Sequence, residues 1–307
     1  MKSAFVIGYK NHAKKIINIL KKEKLKIAIY HYDKEKTQIE RFSEVLNYDF
    51  VFILSPNHTH FNYLNLLENI GYKKPIFCEK PLVNSKTDLK KISKFKIRNQ
   101  IFTNFGLVNS KFFNIIRRYS SQSKIGELLK VDFISSHSFG FTKDYFKNWR
   151  SNGNINKYGI LETVSIHFIY FFFKLLGDFS SISNTKKNFI KKSNAYDFAN
   201  TNIILKNKSQ INLAVSYVSP FIFSINMLFS EGFINISDNF IKVYKINLKK
   251  TKSKRSRSPK LIYKKSFNIK DAWAESHYNN VNYFLTKKSN FRKDFIESLY
   301  IHNNLFL

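Results

Sequence analysis

The fold is most clearly marked by the sequence Ile76-Phe77-Cys78-Glu79-Lys80-Pro81-Leu82. An apolar run ends there in an acid, a base and a proline, and a turn-like segment precedes it. Residues 75–78 are therefore predicted to form a short, buried strand. Because Pro81 disfavours the helical conformation for the preceding residue and cannot extend the ladder, Glu79 and Lys80 are expected where the strand opens. The alternative is that this tripeptide is only a strand exit.

Strands and helices alternate through the amino-terminal third of the chain. Apolar runs predict further strands at 4–7, 25–30, 50–54 and 101–105. Amphipathic segments predict helices at 11–21 and 59–70, and a third helix capped by Ser85 with Asp88 three residues on. This alternation predicts an α/β fold with a doubly wound parallel sheet. Ligands bind such sheets at the carboxyl ends of the strands, where Glu79 and Lys80 are expected.

The rest of the chain has the pattern of an α+β domain. Apolar and polar residues alternate over 129–133, 211–217 and 221–227, and strand-like segments at 241–248 and 261–267 flank a basic run. Helices are predicted at 273–285 and 294–306. These elements indicate a large, mainly antiparallel sheet. Since 307 residues exceed the usual single-domain size, we predict two domains, residues 1–107 and 108–307.

Several motifs accompany Glu79-Lys80-Pro81. The preceding strand ends in Ser55-Pro56-Asn57-His58-Thr59-His60, and the second domain contains Asn148-Trp149-Arg150, Tyr158-Gly159-Ile160-Leu161 and Ser165-Ile166-His167. In this order and spacing, the set resembles the Gfo/Idh/MocA family of NAD(P)-dependent sugar oxidoreductases. The resemblance covers nearly the whole chain. It implies a Rossmann-like dinucleotide-binding domain followed by a substrate-binding and oligomerisation domain, with a homodimer or homotetramer formed through the second-domain sheet.

The resemblance also implies roles for individual residues. His167 would take the hydroxyl proton while hydride leaves carbon, and Lys80 would orient that hydroxyl or carry the proton onward. Without the resemblance, a histidine in an apolar helix is more often a core residue. The residues expected to contact substrate are Lys80, Asn104, Trp149, Arg150, Thr163 and His167. Those expected to contact NAD or NADP are Gly8, Lys10, Asn11, His31, Asp33, Ser55, Pro56, Asn57, His60, Glu79 and Lys80.

The loop after the first strand departs from the family pattern. A dinucleotide fold favours Gly-x-Gly-x-x-Gly there, so that the backbone can approach the pyrophosphate at a helix N-terminus. This chain has Gly8, then Lys10 and Ala13. Ala13 can serve the close packing of helix and strand. Lys10 either obstructs the approach of the backbone or supplies a cationic contact to the phosphate.

The end of the second strand leaves the choice of cofactor open. An acid at this place would hydrogen-bond the ribose hydroxyls of NAD. Asp33 lies close to the expected spacing, but aligning Asp33-Lys34-Glu35-Lys36 with the family motif places His31 at the ribose. Lys34 can instead accept the 2′-phosphate of NADP. NAD is slightly preferred.

The acids that the family often places around the histidine are missing. One turn before His167 stands Thr163, and three residues after it stands Tyr170. Glu162 is one position from the expected acid, which is roughly 140° around a regular helix. It can replace that acid only if the helical register shifts.

The charge of the chain is high but dispersed. The formal net charge is +31, with lysine spread along the whole sequence. Only residues 249–260 form a charge run, and no aromatic residue interrupts them, which argues against base stacking. We predict a solvated hairpin loop and no specific nucleic acid. Anion binding or RNA tethering is the alternative for this run.

The cysteine count and the apolar segments indicate which classes of protein are excluded. Cys78 is the only cysteine, which excludes an internal disulfide and fits a reducing, cytoplasmic compartment. Residues 164–176 are the most apolar segment, but they fall short of the roughly 20 residues that span a bilayer. We predict a buried helix there and no membrane association. The histidines lack metal-ligand spacing, so no metal is expected.

These observations predict an oxidoreductase that transfers hydride between a nicotinamide cofactor and a sugar or sugar nucleotide, in the context of surface polysaccharide. The alternative is a non-catalytic family member that binds a sugar or nucleotide as a sensor or assembly subunit. The altered glycine loop and the missing acids favour this alternative, whereas Glu79, Lys80, Pro81 and His167 oppose it. A nucleic-acid binder is supported by charge alone.

Overall fold

The computed structural model describes residues 1–30, 42–237, 239–247, 258–287 and 290–306. These residues form two compact units. The first unit comprises Met1–Gly106, Ile155–Tyr158 and the described residues from His277 onward. The second comprises Leu107–Asn154 and Gly159–Ser276. The sequence prediction assigned residues 108–307 to the second domain, whereas the first unit also contains residues from the end of the chain.

The described residues form thirteen strands and nine α-helices. The strands are β1 Ser3–Ile7, β2 Lys26–Tyr30, β3 Phe50–Ile53, β4 Ile76–Glu79, β5 Ile101–Asn104, β6 Leu128–Ser136, β7 Phe179–Lys187, β8 Phe198–Leu205, β9 Gln210–Ser216, β10 Ile222–Phe229, β11 Gly232–Ser237, β12 Phe240–Lys245 and β13 Lys260–Ser266. The helices are α1 Asn11–Lys22, α2 His60–Asn69, α3 Lys86–Ile92, α4 Lys111–Ser120, α5 Gln122–Ile125, α6 Lys143–Phe146, α7 Ile166–Leu176, α8 Ile269–Lys287 and α9 Arg292–Leu305.

The first unit is built on a parallel sheet with the strand order β2-β1-β3-β4-β5. Strands β3, β4 and β5 are buried along their whole length, as expected for strands covered on both faces. The predicted doubly wound sheet is therefore confirmed. Ser85 caps α3, as predicted: its side chain accepts a hydrogen bond from the Asp88 backbone N–H at 3.0 Å.

The last helices join the first unit through aromatic packing. Phe284 of α8 lies 5.3 Å from Phe52 and 5.4 Å from Phe77, measured between ring centroids. Phe291 stacks on Phe284 at 5.3 Å. Such ring contacts account for much of the energy of a core. The predicted second domain, 108–307, included these helices. Periodicity shows that a helix has an apolar face, but it does not show which unit that face packs against.

The second unit contains an eight-stranded sheet with the order β13-β12-β11-β10-β6-β9-β8-β7. Neighbouring strands are antiparallel except for the central β6–β9 pair, so the predicted mainly antiparallel sheet is confirmed. Strands β7, β8 and β11 were not predicted from the sequence. Of these, β7 is an edge strand in which only Phe179 and Ile182 are buried, so it lacks an apolar alternation.

Apolar alternation located the buried face of the sheet in the strand centres but failed near two strand ends. Val131 and Phe133 are buried, whereas Leu129 is 49% exposed. Phe221, which directly precedes β10, is 65% exposed. The pattern is therefore reliable only where helices or loops cover the strand.

The most apolar segment forms α7, in which most side chains are buried, as predicted. Within the described ranges, no helix is both long and apolar enough to cross a membrane. The strands that flank the basic run, β12 and β13, pair antiparallel. Most of the run itself lies outside the described residues.

Candidate functional site

The carboxyl ends of β1, β3, β4 and β5 meet at one edge of the parallel sheet. Strand register places Ile7 beside Ile53 and Glu79 beside Asn104. The Glu-Lys-Pro turn, defined as residues 79–82, leaves the sheet at this edge. Its lysine side chain is half-buried. The motifs predicted to bind cofactor follow these same strands.

Glu79 is the centre of a buried polar network. Its Oε1 accepts hydrogen bonds from His12 Nε2 at 2.7 Å and from Asn104 Nδ2 at 2.6 Å. Burial raises the pKa of Glu79, but the nearby His12, His277 and Asn104 outweigh burial and lower that pKa to about 2. The carboxylate is therefore ionised at neutral pH, and His12 Nε2 must donate to it.

Asn104 extends this network to the last helices. Its Oδ1 accepts a hydrogen bond from Asn280 Nδ2 at 2.6 Å, and Asn280 also donates to the Phe105 carbonyl at 2.8 Å. Asn104 is 1% exposed and was predicted to contact substrate. In the first unit its side-chain amide joins Glu79 to α8.

Two further histidines hold the Glu-Lys-Pro turn. The ring of His60 lies between two carbonyls, with Nδ1 2.7 Å from Pro81 O and Nε2 2.9 Å from Ser55 O. Burial lowers the pKa of His60. On the other side, the Leu82 N–H donates to His302 Nε2 at 2.8 Å. His60 was predicted to contact cofactor; both of its ring nitrogens face backbone carbonyls, so it links two strand ends.

The loop after β1 retains part of a phosphate-binding geometry. Gly8 has φ +109°, and a Cβ there would lie 2.9 Å from the Leu54 carbonyl, so only glycine fits. Lys10 is extended and precedes α1 without a capping side chain. The first N–H groups of α1, from Asn11 onward, have no acceptors in the helix and carry the positive end of its dipole. Ala13 is 1% exposed, which permits close packing of the helix.

Asn57 adds a buried donor at the same edge. It is 7% exposed, and its Nδ2 has no hydrogen-bond partner among the described residues. The surrounding turn is fixed by Thr59, whose hydroxyl lies 2.6 Å from Ser55 Oγ and 2.8 Å from Pro56 O. A buried amide N–H gains a hydrogen bond from a ligand oxygen. The glycine, the uncapped helix and this amide together fit a dinucleotide.

The residues that were predicted to select NAD or NADP lie outside the described part of the chain. They are His31, Asp33 and Lys34.

In the second unit, Tyr217 connects two of the predicted substrate residues. Its hydroxyl lies 2.7 Å from Thr163 Oγ1 and is also hydrogen-bonded by Arg150. The Arg150 guanidinium stacks over the Trp149 ring, 4.5 Å from its centroid. Sequence reasoning missed Tyr217, because an aromatic residue at the end of an alternating strand is a core residue in most proteins. The sequence pattern does not indicate that the Tyr217 hydroxyl makes polar contacts.

Gly159 fixes the start of the helical segment that carries His167. Its φ is +59°, and a Cβ there would lie 2.3 Å from the Tyr196 carbonyl oxygen. The Ile160 N–H donates to that same carbonyl at 2.9 Å. Only glycine allows this close approach of two backbones.

A π-helical turn follows at Leu161–Ser165. The Ile166 N–H bonds to the Leu161 carbonyl, five residues back, where a regular helix would span four. This extra residue shifts the register, so Glu162 and His167, five apart, come to share a face as residues four apart do in an α-helix. Sequence analysis placed Glu162 on another face because it assumed a regular helix.

Glu162 is fully buried on this turn. Burial lowers the pKa of Lys186 on β7, and the Glu162 carboxylate partly offsets that effect. Thr163 is engaged elsewhere, with its hydroxyl donating to Gly159 O at 3.0 Å. His167 is half-buried, and its ring meets the edge of Trp273 at 4.8 Å between centroids. No group of three or more potential metal ligands occurs among the residues with described positions.

A family model matches the amino-terminal part of the chain. Residues 4–102 match the Gfo/Idh/MocA model, described as an oxidoreductase family with an NAD-binding Rossmann fold. This is the class of cofactor that the sequence predicts. No curated protein sequence matches the chain.

Solved structures share the fold over the whole chain. Levoglucosan dehydrogenase in complex with NADH and levoglucosan has a TM-score of 0.74 at 15% identity, covering 99% of this chain and 97% of that chain. An oxidoreductase from Agrobacterium radiobacter, in complex with NAD+, L-tartaric acid and magnesium, has a TM-score of 0.73 at 15% identity, covering 99% and 94%. GenD2 from gentamicin A biosynthesis, in complex with NAD, has a TM-score of 0.75 at 13% identity, covering 99% and 92%.

At these identities the structural likeness establishes the fold alone. The family match rests on the segment that contains Gly8, the 55–60 motif and the Glu-Lys-Pro turn. Residues 4–102 therefore match the NAD-binding Rossmann fold of the Gfo/Idh/MocA oxidoreductase family, which is the family that the motifs resemble.

Proposed function

We propose that this protein is an NAD(P)-dependent oxidoreductase that acts on a hydroxyl or keto group of a sugar or sugar nucleotide. The observation that carries the proposal is the Glu-Lys-Pro turn, which His12, His60 and His302 hold at the carboxyl-terminal edge of the parallel sheet, the edge that also carries Gly8. Preorganised polar groups of this kind are typical of catalytic centres. A role in surface polysaccharide is part of the proposal.

Cofactor binding is assigned to the first unit. Gly8, the N-terminus of α1 and the Asn57 amide fit a dinucleotide, as argued above from their geometry. When bound, a nicotinamide supplies the acceptor or donor of the hydride. NAD is the preferred form, as the sequence analysis suggests.

The protein's own residues then handle the hydroxyl proton. We assign His167 as the base, since imidazole can take or give a proton near neutral pH. Lys80, half-buried on the turn, donates a hydrogen bond to the reacting oxygen. Arg150, Thr163 and Tyr217 form a hydroxyl-binding set in the second unit, because Tyr217 OH bridges the other two.

Glu162 is the carboxylate that this proposal places beside His167. The π turn brings both residues to one helix face, and Glu162 is fully buried. A carboxylate next to a histidine base stabilises the imidazolium that forms during proton transfer. In a regular helix the missing acid would stand at residue 163. Here that residue is Thr163, and its hydroxyl contacts Tyr217.

A homodimer or homotetramer through the second-unit sheet is also proposed. The uncovered face of this sheet bears a polar row in which Asn212 donates to Asp132 at 3.1 Å and Asn235 donates to Asn226 at 2.7 Å. Exposed apolar residues flank the row: Ile134, Ile204, Ile222, Leu228 and Leu261. Light scattering of the purified protein tests this arrangement, and a monomer at micromolar concentration would exclude it.

Hydride transfer tests the main proposal. The purified protein is incubated with NAD or NADP and a panel of sugars and sugar nucleotides, and the nicotinamide absorbance is followed. Lys80→Ala and His167→Ala should each reduce turnover at least about 100-fold, the usual size of a general acid–base contribution. Folding, measured by circular dichroism, should be unchanged. Full activity in either variant would remove that residue from the mechanism.

Binding without turnover would favour the second candidate, a non-catalytic sensor or assembly subunit. The specific observation in its favour is Lys10, which stands where the family pattern has its second glycine.

A further inference from the structure

The central strands of the second-unit sheet, β6 and β9, end beside each other. They form a parallel pair, so their carboxyl ends lie at the same edge of the sheet. His137 follows β6 and Tyr217 follows β9, and their rings lie 4.9 Å apart between centroids. Because the Tyr217 hydroxyl contacts Thr163, His137 stands next to the hydroxyl-binding set of the proposed function.

The segment that carries His137 is fixed by its backbone. The His137 N–H donates to the Ser216 carbonyl at 3.0 Å, and the Gly140 N–H donates to the Tyr217 carbonyl at 2.8 Å. A Cβ on Gly140 would lie 2.9 Å from that second carbonyl oxygen. The turn therefore packs closely against the end of β9, and the imidazole has a fixed position.

The hydrogen bonds of the ring determine which nitrogen carries the proton. The Phe139 N–H donates to His137 Nδ1 at 3.3 Å, so Nδ1 acts as an acceptor and carries no hydrogen. The ring is therefore neutral, with its hydrogen on Nε2. Burial lowers the pKa of His137, and the nearby Arg150 guanidinium lowers it further, in agreement with a neutral ring.

The Nε2–H group of His137 is a donor that the protein does not use. Within the part of the chain that the structure describes, it has no hydrogen-bond acceptor, although the ring is half-buried. Arg150, which stacks on Trp149 and bonds the Tyr217 hydroxyl, also carries donors only. Two donor-only groups near each other favour a ligand oxygen that only accepts. A hydroxyl fits less well, because its own hydrogen then needs a further acceptor.

We propose that His137 is a substrate-binding residue whose Nε2–H donates, together with Arg150, to an acceptor-only oxygen on the sugar. Such an oxygen belongs to a carboxylate, as in a sugar acid, or to an amide carbonyl, as in an N-acetylated amino sugar. The inference rests on the proposed function and names a substrate class for its second-unit site.

Steady-state kinetics test the inference and separate the two sources of the oxygen. The wild type is assayed with NAD and NADP on gluco- and galacto-configured sugars, free and UDP-linked, each as the hexose, the uronic acid and the N-acetylamino sugar. The uronic acid or the N-acetylamino sugar should exceed the hexose in kcat/KM by at least about 10-fold, as expected for a hydrogen bond that the hexose lacks. A preference for the hexose would overturn the inference.

His137→Phe keeps a ring and removes both nitrogens. It should raise KM for the preferred sugar by about 10-fold with little change in kcat, and it should abolish the preference over the hexose. His137→Gln places an amide N–H near the former Nε2 and should restore much of that preference. Phe139→Leu is the matched control, because it removes a ring from the same aromatic cluster and keeps the backbone N–H that fixes His137. Its preference should equal that of the wild type.

The outcomes distinguish the inference from the proposed function. Turnover with an unchanged preference in His137→Phe would overturn the inference and leave the proposed function standing. Failure of the wild type to bind or oxidise any of these sugars would overturn both. If His137→Phe does not fold, histidine-ring NMR of the labelled wild type decides, because the His137 Nε2 signal should shift when the preferred sugar is added. An unchanged signal at saturation would contradict the proposal.

Discussion

The Glu-Lys-Pro turn and the π turn at Leu161–Ser165 are held by different kinds of contact. Side chains from other elements fix the first: His12 and Asn104 bind Glu79, His60 faces Pro81, and His302 accepts from Leu82. In the second, backbone geometry contributes directly, through a hydrogen bond that spans five residues and a close contact of Gly159 with Tyr196, and the Thr163 hydroxyl adds one side-chain contact with Tyr217. The turn can therefore be weakened one contact at a time, whereas the π turn depends on its local backbone geometry.

The largest expected effect tests the backbone-held region. Gly159→Ala places a Cβ 2.3 Å from the Tyr196 carbonyl oxygen at a φ of +59°, so it combines a clash with left-handed strain. We expect a loss of about 4 kcal/mol in the free energy of unfolding, measured by urea denaturation.

Gly177→Ala is the matched control for this substitution. Gly177 also has positive φ, +94°, but no atom lies within 4 Å of a Cβ there. Only backbone strain applies at Gly177, whose φ of +94° and ψ of −161° are adopted almost only by glycine, and the loss should be about 2 kcal/mol. Equal losses in the two variants would show that the contact with Tyr196 does not restrain the π turn.

The turn held by side chains is tested through Glu79. Because the pKa of Glu79 is lowered to about 2 in the folded protein, its ionisation stabilises the fold above its ordinary pKa, and this contribution is lost as pH falls from about 4.5 to about 2. Glu79→Gln should cost about 2 kcal/mol near pH 7, and the difference from wild type should shrink over that acidic range. A difference that is constant with pH would contradict an ionised Glu79.

The smallest expected effect concerns Thr163. Thr163→Val removes the hydroxyl that lies 2.7 Å from Tyr217 OH and should cost about 1 kcal/mol in thermal unfolding. Thr163→Ser, which keeps the hydroxyl, should cost less. The reverse order would mean that the methyl group, packed in the core, matters more than the link to Tyr217.

The same contrast explains what could be predicted from the sequence. Buried strands and a proline-marked exit depend on residue type, so the parallel sheet and the place of Glu79 followed from composition and spacing. The helix cap at Ser85 could also be predicted, because Ser85 and Asp88 are three residues apart and hydrogen-bond each other. The family motifs in residues 4–102 could likewise be recognised from residue types and their spacing.

Features that depend on hydrogen-bond register or on long-range packing were not predictable. Nothing in Leu161-Glu162-Thr163-Val164-Ser165 marks a π turn, so Glu162 was assigned to another face. The contacts of His302 with Leu82 and of Phe284 with the parallel sheet join residues about two hundred positions apart. Such pairs carry no local signal.

Direct titration with NADH and NADPH tests the central claim, that residues 4–102 still form a working dinucleotide site despite Lys10. Nicotinamide fluorescence or calorimetry on the purified full chain measures the affinity. The account predicts binding in the micromolar range for at least one of the two, with NADH slightly favoured. Absence of binding to both at millimolar concentration would contradict it.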